Sequence, residues 1–283
     1  MDVDSADKRF SWRKSLALFP VFAVLAVWLP VQMNASLNTN HAWLLICAQR
    51  LLDGGRPLTD FYEPNPPLSI LMYVPDVLLA RLTHIPIYYT PYIFGLLAMI
   101  LSGWALFGLL KKFPALDEGS RLAVIGSFFI VSTAGASIMF FADRDEYVAW
   151  GLLPFMLCQL LITRQVIIER KRLWTILICA GICIFVKPHF LLLPAALVIH
   201  RMVARRRFFF VLRDPDVVAL FIIGIAYAAI IACLFRDYVT VIFPDFVKLY
   251  IPVQRSLIVG KKLVYGVILL AFLKWGLKPV NEN

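Results

Sequence analysis

LSILMYVPDVLLARL, Leu68–Leu82, is the stretch whose reading decides how this chain threads a bilayer. It is apolar enough to suggest a crossing, but a spanning helix needs about 20 residues. It also carries Pro75 and Asp76, and an Asp at mid-membrane costs about 2.5–3.5 kcal/mol. Charge bias arbitrates. With Leu68–Leu82 lying flat in the outer interface, 18 of the 28 basic residues fall on the cytoplasmic side. If it crosses, every later loop changes sides and the tally falls to 12. The positive-inside rule favours the flat reading.

The remaining apolar segments then count eight spans. They are Ser15–Met33, Ile87–Leu110, Arg121–Phe141, Tyr147–Thr163, Val217–Phe235, Ile258–Gly276 and two short helices within Leu173–Val203. That last run would make a helix of about 46 Å, too long for one crossing, and Lys187-Pro188-His189 breaks it. Mean hydropathy is +0.79 and only 16% of residues are charged, so a soluble fold has nowhere to place the apolar surface. The fold class is an all-α polytopic membrane protein: one transmembrane domain over residues 1–283, in a cell (inner) membrane, with both termini cytoplasmic. The first span follows Arg9, Arg13 and Lys14 and reads as uncleaved. The net charge of +10 sits in short runs between apolar segments. That pattern marks cytoplasmic loops and argues against nucleic-acid binding. The Arg205–Arg207 run reads as such a topology anchor. The five cysteines lie in apolar surroundings without metal-site spacing, so neither a disulfide nor a bound metal is expected.

This topology places three outer segments on one face: residues 34–86, 142–146 and 236–257, together with the turn at Lys187. Within the first, Asn40–Leu52 has helix-forming composition, Asp53-Gly54-Gly55 stops it, and Trp43 beside Gln49 and Arg50 suggests a helix in the interface plane. Asp60 and Glu63 follow in a proline-stiffened run, where restricted backbone preorganises a carboxylate for binding or proton transfer. FADRDEY then packs Asp143, Arg144, Asp145 and Glu146 into a minimal loop, more charge than a turn needs. Lys187 and His189, at a helix break near headgroup depth, suit a lipid phosphate. Each group also has a structural reading: solvated turn, polar loop cap, snorkelling lysine. Asp76 reads as a groove-lining or interface residue.

The stretch Gly55, Pro57, Asp60, Pro64, Pro66, Pro67, Leu68 follows an N-terminal span and an outer amphipathic helix. With the second acidic motif and the Lys187-Pro188 pair, it resembles the GT-C glycosyltransferases that use polyprenyl-phosphate sugars. These include protein O-mannosyltransferases and lipid A aminoarabinose transferases, and the pattern is most like bacterial dolichyl-phosphate-mannose-protein mannosyltransferase-like members. The resemblance covers roughly Ser15 to Val253 and implies an extracytoplasmic active site. It implies carboxylates among Asp143, Asp145, Glu146 and Asp60 as catalytic groups. Asn40, His41, Glu63, Arg144, Lys187 and His189 would bind substrate. The donor would be a polyprenyl-phosphate-linked sugar, with an unspecified lipid, glycan or protein acceptor. No cofactor is required, although the clustered acids leave room for a divalent ion. The family's leading Asp, three residues ahead of Trp43, is Asn40 here, and an amide cannot accept a proton as a carboxylate does. Relatives commonly continue for several more spans, so a short or degenerate member is expected. Two rival readings stay open: a catalytically silent homologue binding a lipid-linked sugar or partner, and a transporter.

Overall fold

The structure is a computed structural model and describes residues 23, 26–35, 37–135, 140–206 and 209–250. All regular elements among these residues are helical. The α-helices of four residues or more are, in chain order, α1 (residues 26–33), α2 (Thr39–Leu52), α3 (Leu68–Leu71), α4 (Val74–Thr83), α5 (Thr90–Leu110), α6 (Glu118–Ile130), α7 (Arg144–Thr163), α8 (Arg170–Ile184), α9 (Leu192–Arg205) and α10 (Pro215–Leu234). Three helical segments are long and apolar enough to cross a membrane: Ile87–Leu110, Arg144–Thr163 and Pro215–Leu234. α10 leaves most of its apolar surface open, with Phe221, Ile222, Ile225 and Leu234 all at least 60% exposed. Such a surface is stable only where the surroundings are themselves apolar. The expected last span, Ile258–Gly276, lies outside the described residues, as does most of the expected first, Ser15–Met33.

α7 is the axis. It packs against α5 on one side and α8 on another, with α9 also touching it. Val148, Leu152, Phe155, Cys158 and Leu161 face Ile176, Leu177, Ala180 and Ile184 of α8. Trp150 instead joins Met99 and Leu106 of α5 and Phe128 of α6. Pro154 sits inside α7. It has no N–H, so the carbonyl of Trp150 one turn earlier loses its helical partner. The Ser102 hydroxyl of α5 donates to that carbonyl at 2.6 Å, and the Trp150 indole N–H donates to Ser132 at 3.1 Å. A buried backbone group freed by proline is thus re-satisfied from the neighbouring helix, as a spanning segment requires.

Residues 37–86 hold α2, α3 and α4. The Asn38 side chain accepts from the His41 N–H at 2.8 Å, so α2 starts one residue before the expected Asn40. It ends where Gly54 takes φ +84°, a conformation glycine adopts freely. α2 buries Leu44, Leu45, Cys47 and Ala48 against Ile70, Tyr73 and Val77. Leu68–Leu82 does not form one helix. Met72 and Tyr73 separate α3 from the ten-residue α4, neither long enough to cross. Asp76 differs from its expected interface position: it is 1% exposed, and Thr90 hydrogen-bonds its carboxyl. The Leu173–Val203 run breaks as expected, with a single 3-10 turn, Pro188–Leu191, between α8 and α9. All five cysteines are free thiols.

Candidate functional site

The N-terminal end of α7 gathers side chains from three segments far apart in sequence. The turn into it is tightly fixed. Ala142 adopts φ +60° at a fully buried position, and its carbonyl accepts from the Tyr73 hydroxyl at 3.4 Å. Opposite lies Gly95, where an added Cβ would come within 2.6 Å of the Ala142 methyl. Only a missing side chain lets α5 approach this closely. Asp143 then caps α7, accepting from the Arg144 N–H at 2.7 Å.

Arg144 is the hub. Its guanidinium donates through Nη2 to Asn40 Oδ1 at 3.2 Å, while Nη1 lies 3.8 Å from Glu63 and Nε 4.0 Å from Asp145. Asn40 in turn donates to Asp143 Oδ1 at 3.5 Å. Lys187 donates to both oxygens of Asp145, at 2.6 and 2.8 Å. Burial separates the members: Glu63, Asp143 and Arg144 are nearly inaccessible, while Asp145 is 52% exposed. Arg144 Nε and Nη1 are buried and make no hydrogen bond among the described residues. These two N–H groups lie on different edges of the guanidinium, each at ion-pair distance from a carboxylate, Nη1 from Glu63 and Nε from Asp145. The cluster also stands at the positive end of the α7 dipole, which favours an anion. Burial, more than any neighbouring charge, raises the Asp143 carboxyl above its ordinary range. A carboxylate so placed accepts a proton more readily near neutral pH.

The structure thus brings Asn40, Glu63, Asp143, Arg144, Asp145 and Lys187 together. Glu146 occupies the first turn of α7 with one carboxylate oxygen buried and unpaired. His41 is fully buried and tilted against Tyr73 at 4.9 Å between ring centroids, and its ring nitrogens make no hydrogen bond among the described residues. Burial lowers its imidazole to about 4, so it is neutral at physiological pH. Asp60 is not brought in. It is exposed and closes its own loop, accepting from the Arg56 N–H at 2.7 Å, while Arg50 donates to its carbonyl. His189 is exposed, its ring tilted against Phe190 at 4.4 Å between centroids.

A second polar cluster, at the other end of α7, escaped the sequence reading. Arg201 of α9 is fully buried and forks onto both oxygens of Asp216, at 3.0 and 2.7 Å. It also pairs with Asp214 at 2.8 Å and with Gln159 of α7, which itself donates to Asp216 at 3.0 Å. Arg205, expected to be a loose topology anchor, donates to the Ile162 carbonyl and lies 3.5 Å from Asp214. Arg207 lies outside the described residues. The available signal was the pairing of opposite charges placed inside the ends of two apolar runs.

No family model matches this chain, and neither a curated protein nor a solved structure matches it.

Proposed function

We infer that this chain is a multi-pass membrane glycosyltransferase that moves a sugar from a polyprenyl phosphate to an acceptor on the outer face. It would cross the bilayer eight times, with both termini cytoplasmic. The observation that carries this reading is the buried Arg144 guanidinium, two of whose N–H groups make no hydrogen bond among the described residues, set with Asp143, Asp145 and Lys187 at the end of a membrane-length helix. Polyprenyl phosphates present their charge at this depth. In the reaction, the acceptor oxygen forms a bond to the anomeric carbon as the bond to the phosphate oxygen breaks. The acceptor proton passes to a carboxylate, and the polyprenyl phosphate leaves as an anion. Arg144 and Lys187 hold that phosphate and stabilise the charge it gains. Asp143, or Asp145 once the phosphate displaces it from Lys187, takes the proton. Single substitutions Asp145→Asn, Glu146→Gln and Lys187→Gln should each abolish sugar transfer in isolated membranes. Unchanged transfer in all three removes the assignment.

A second reading is favoured by one contact. Asn40 places an amide, not a carboxylate, between Asp143 and Arg144, as a homologue that binds a lipid-linked sugar without turning it over would. Transfer activity that appears only in Asn40→Asp supports this reading, and robust turnover by the wild type ends it.

A further inference from the structure

Tyr73 is fully buried, and its ring stands edge-on to that of Tyr147 at 6.4 Å between centroids. Four polar atoms around this pair are buried and make no hydrogen bond among the described residues: Nδ1 and Nε2 of His41, Oδ1 of Asp76 and Oε2 of Glu146. His41 reaches the pair from α2, its ring 4.9 Å from that of Tyr73. Asp76 comes from α4, where Thr90 hydrogen-bonds its carboxyl, and it lies within electrostatic range of both phenols. From the start of α7, Asp143 and Arg144 act on Tyr73, and Glu146 acts on Tyr147. The phenols themselves are loosely held. Tyr73 donates to the Ala142 carbonyl and Tyr147 to the Pro91 carbonyl, each at 3.4 Å, well beyond the usual O–H···O separation of about 2.7–2.8 Å.

An orphaned buried polar atom costs about 1–3 kcal/mol. One alone is a local defect; several, supplied by three helices around the same two phenols, mark a shared partner. A neutral imidazole offers one donor and one acceptor, and the two carboxyl oxygens offer acceptors. Water supplies both kinds and bridges groups too far apart to bond directly. The groups at either end also exchange protons near neutrality. Burial raises Asp76 to about 7 and, more than any neighbouring charge, raises Asp143 above its ordinary range. Asp143 is 5% exposed, so a proton it takes up has no direct way to bulk water.

We propose that His41, Tyr73, Asp76, Glu146 and Tyr147 enclose an internal water site, and that this water passes protons between Asp143 and Asp76. A proton on Asp143 moves onto the water as the water gives one of its own to the Asp76 carboxylate. Asp143 returns to its ionised form and Asp76 becomes the acid. The step clears the base during sugar transfer, while the donor phosphate covers the exposed Asp145. That use rests on the transfer reaction; the water site and its proton link do not.

The test uses the full chain in detergent and needs no turnover. Millisecond X-ray radiolysis makes hydroxyl radicals from water wherever it lies, and mass spectrometry then counts the oxidised side chains. Tyr73 should oxidise about tenfold faster than Phe155, which is 1% exposed in the apolar core of α7 and α8. Equally slow oxidation of the two overturns the water site. The proton link is read in the infrared, from the carbonyl band of protonated Asp76. That band should titrate near pH 7 and vanish in Asp76→Asn. On transfer to D2O it should shift within the mixing time in the wild type and about tenfold more slowly in Asp143→Asn, which keeps the helix cap but cannot carry the proton. Asp143→Glu should restore the fast shift. A band absent at about pH 5, or an exchange rate indifferent to Asp143→Asn, overturns the link. A wild type without sugar transfer ends the use in catalysis alone; the two readouts decide the site either way.

Discussion

Replacing Asp145 by Asn tests whether the Asp145–Lys187 ion pair serves chemistry or merely ties α7 to the break after α8. Lys187 Nζ lies 2.6 Å from Asp145 Oδ1. At that separation the bare Coulomb term is about 1.6 kcal/mol in water and about 6 kcal/mol at an effective dielectric of 20. Asp145 is 52% exposed and Lys187 16%, so the water-like limit is the nearer one. The side-chain entropy of holding two flexible groups then reduces the net value to about 1 kcal/mol or less. A loss of that size lowers the melting temperature of a chain this long by about 2–4 °C. Activity should respond on another scale. Removing a carboxylate from the reacting cluster, or the Lys187 cation from the leaving phosphate, should cost at least about 100-fold in turnover. The double variant Asp145→Lys with Lys187→Asp separates the two roles: the pair re-forms and stability returns, but charge is misplaced for the donor phosphate and transfer stays lost. Melting is read in detergent by thermal shift. Turnover is read in membranes as polyprenyl phosphate released, by liquid chromatography and mass spectrometry. Transfer within threefold of wild type for Asp145→Asn, or recovery of both properties in the swap, would show the pair to be a structural tie and refute the reasoning.

Ser102→Ala should strand the Trp150 carbonyl opposite Pro154 and lower stability by about 1 kcal/mol, read as a melting shift; Ser102→Thr, which keeps the hydroxyl, should recover most of it. Asp216→Asn leaves the fully buried Arg201 without its forked partner and should cost about 3–5 kcal/mol, enough to remove the folded protein from detergent extracts. The pH profile should expose two opposing groups. Burial lowers His41 to about 4, so its contribution is lost as pH falls from 6.5 towards 4. Burial raises Asp76 to about 7, so its contribution is full below about 4 and lost as pH rises to 7. The slopes oppose each other between about 4 and 6.5. His41→Gln should therefore make stability fall more steeply with rising pH than in the wild type, and Asp76→Asn should make it rise. Melting curves across that window that stay parallel to wild type in both variants would dismiss the buried pair as titrating groups.

What was legible in the sequence was whatever depends on local pattern. Gly54 ends α2 because a left-handed residue there needs no Cβ, and Pro188 breaks the α8–α9 run because it cannot donate. The convergence of Asn40, Asp143, Arg144 and Lys187 was legible for a different reason. The expectation came from laying Leu68–Leu82 flat, which assigns those segments to one side under the positive-inside rule. Asp60 was misjudged because backbone stiffness says nothing about direction; its carboxylate turns onto the Arg56 N–H four residues back, a local bond available at no cost in long-range order. The burial of Asp76 and Arg201 was not legible at all, because a charge inside an apolar run acquires a partner only through packing. Asp76 meets Thr90 across a helix boundary, and Arg201 meets Asp216 and Gln159 from two other helices. These two groups carry different consequences. Arg201 is closed by its partners on almost every side and holds three helices in register, whereas Asp76 keeps a buried oxygen with no hydrogen-bond partner among the described residues. A membrane protein tolerates the first as structure. Burial raises the second to about 7, which ties this part of the helix bundle to pH through a residue that makes no ion pair with the cluster among the described residues.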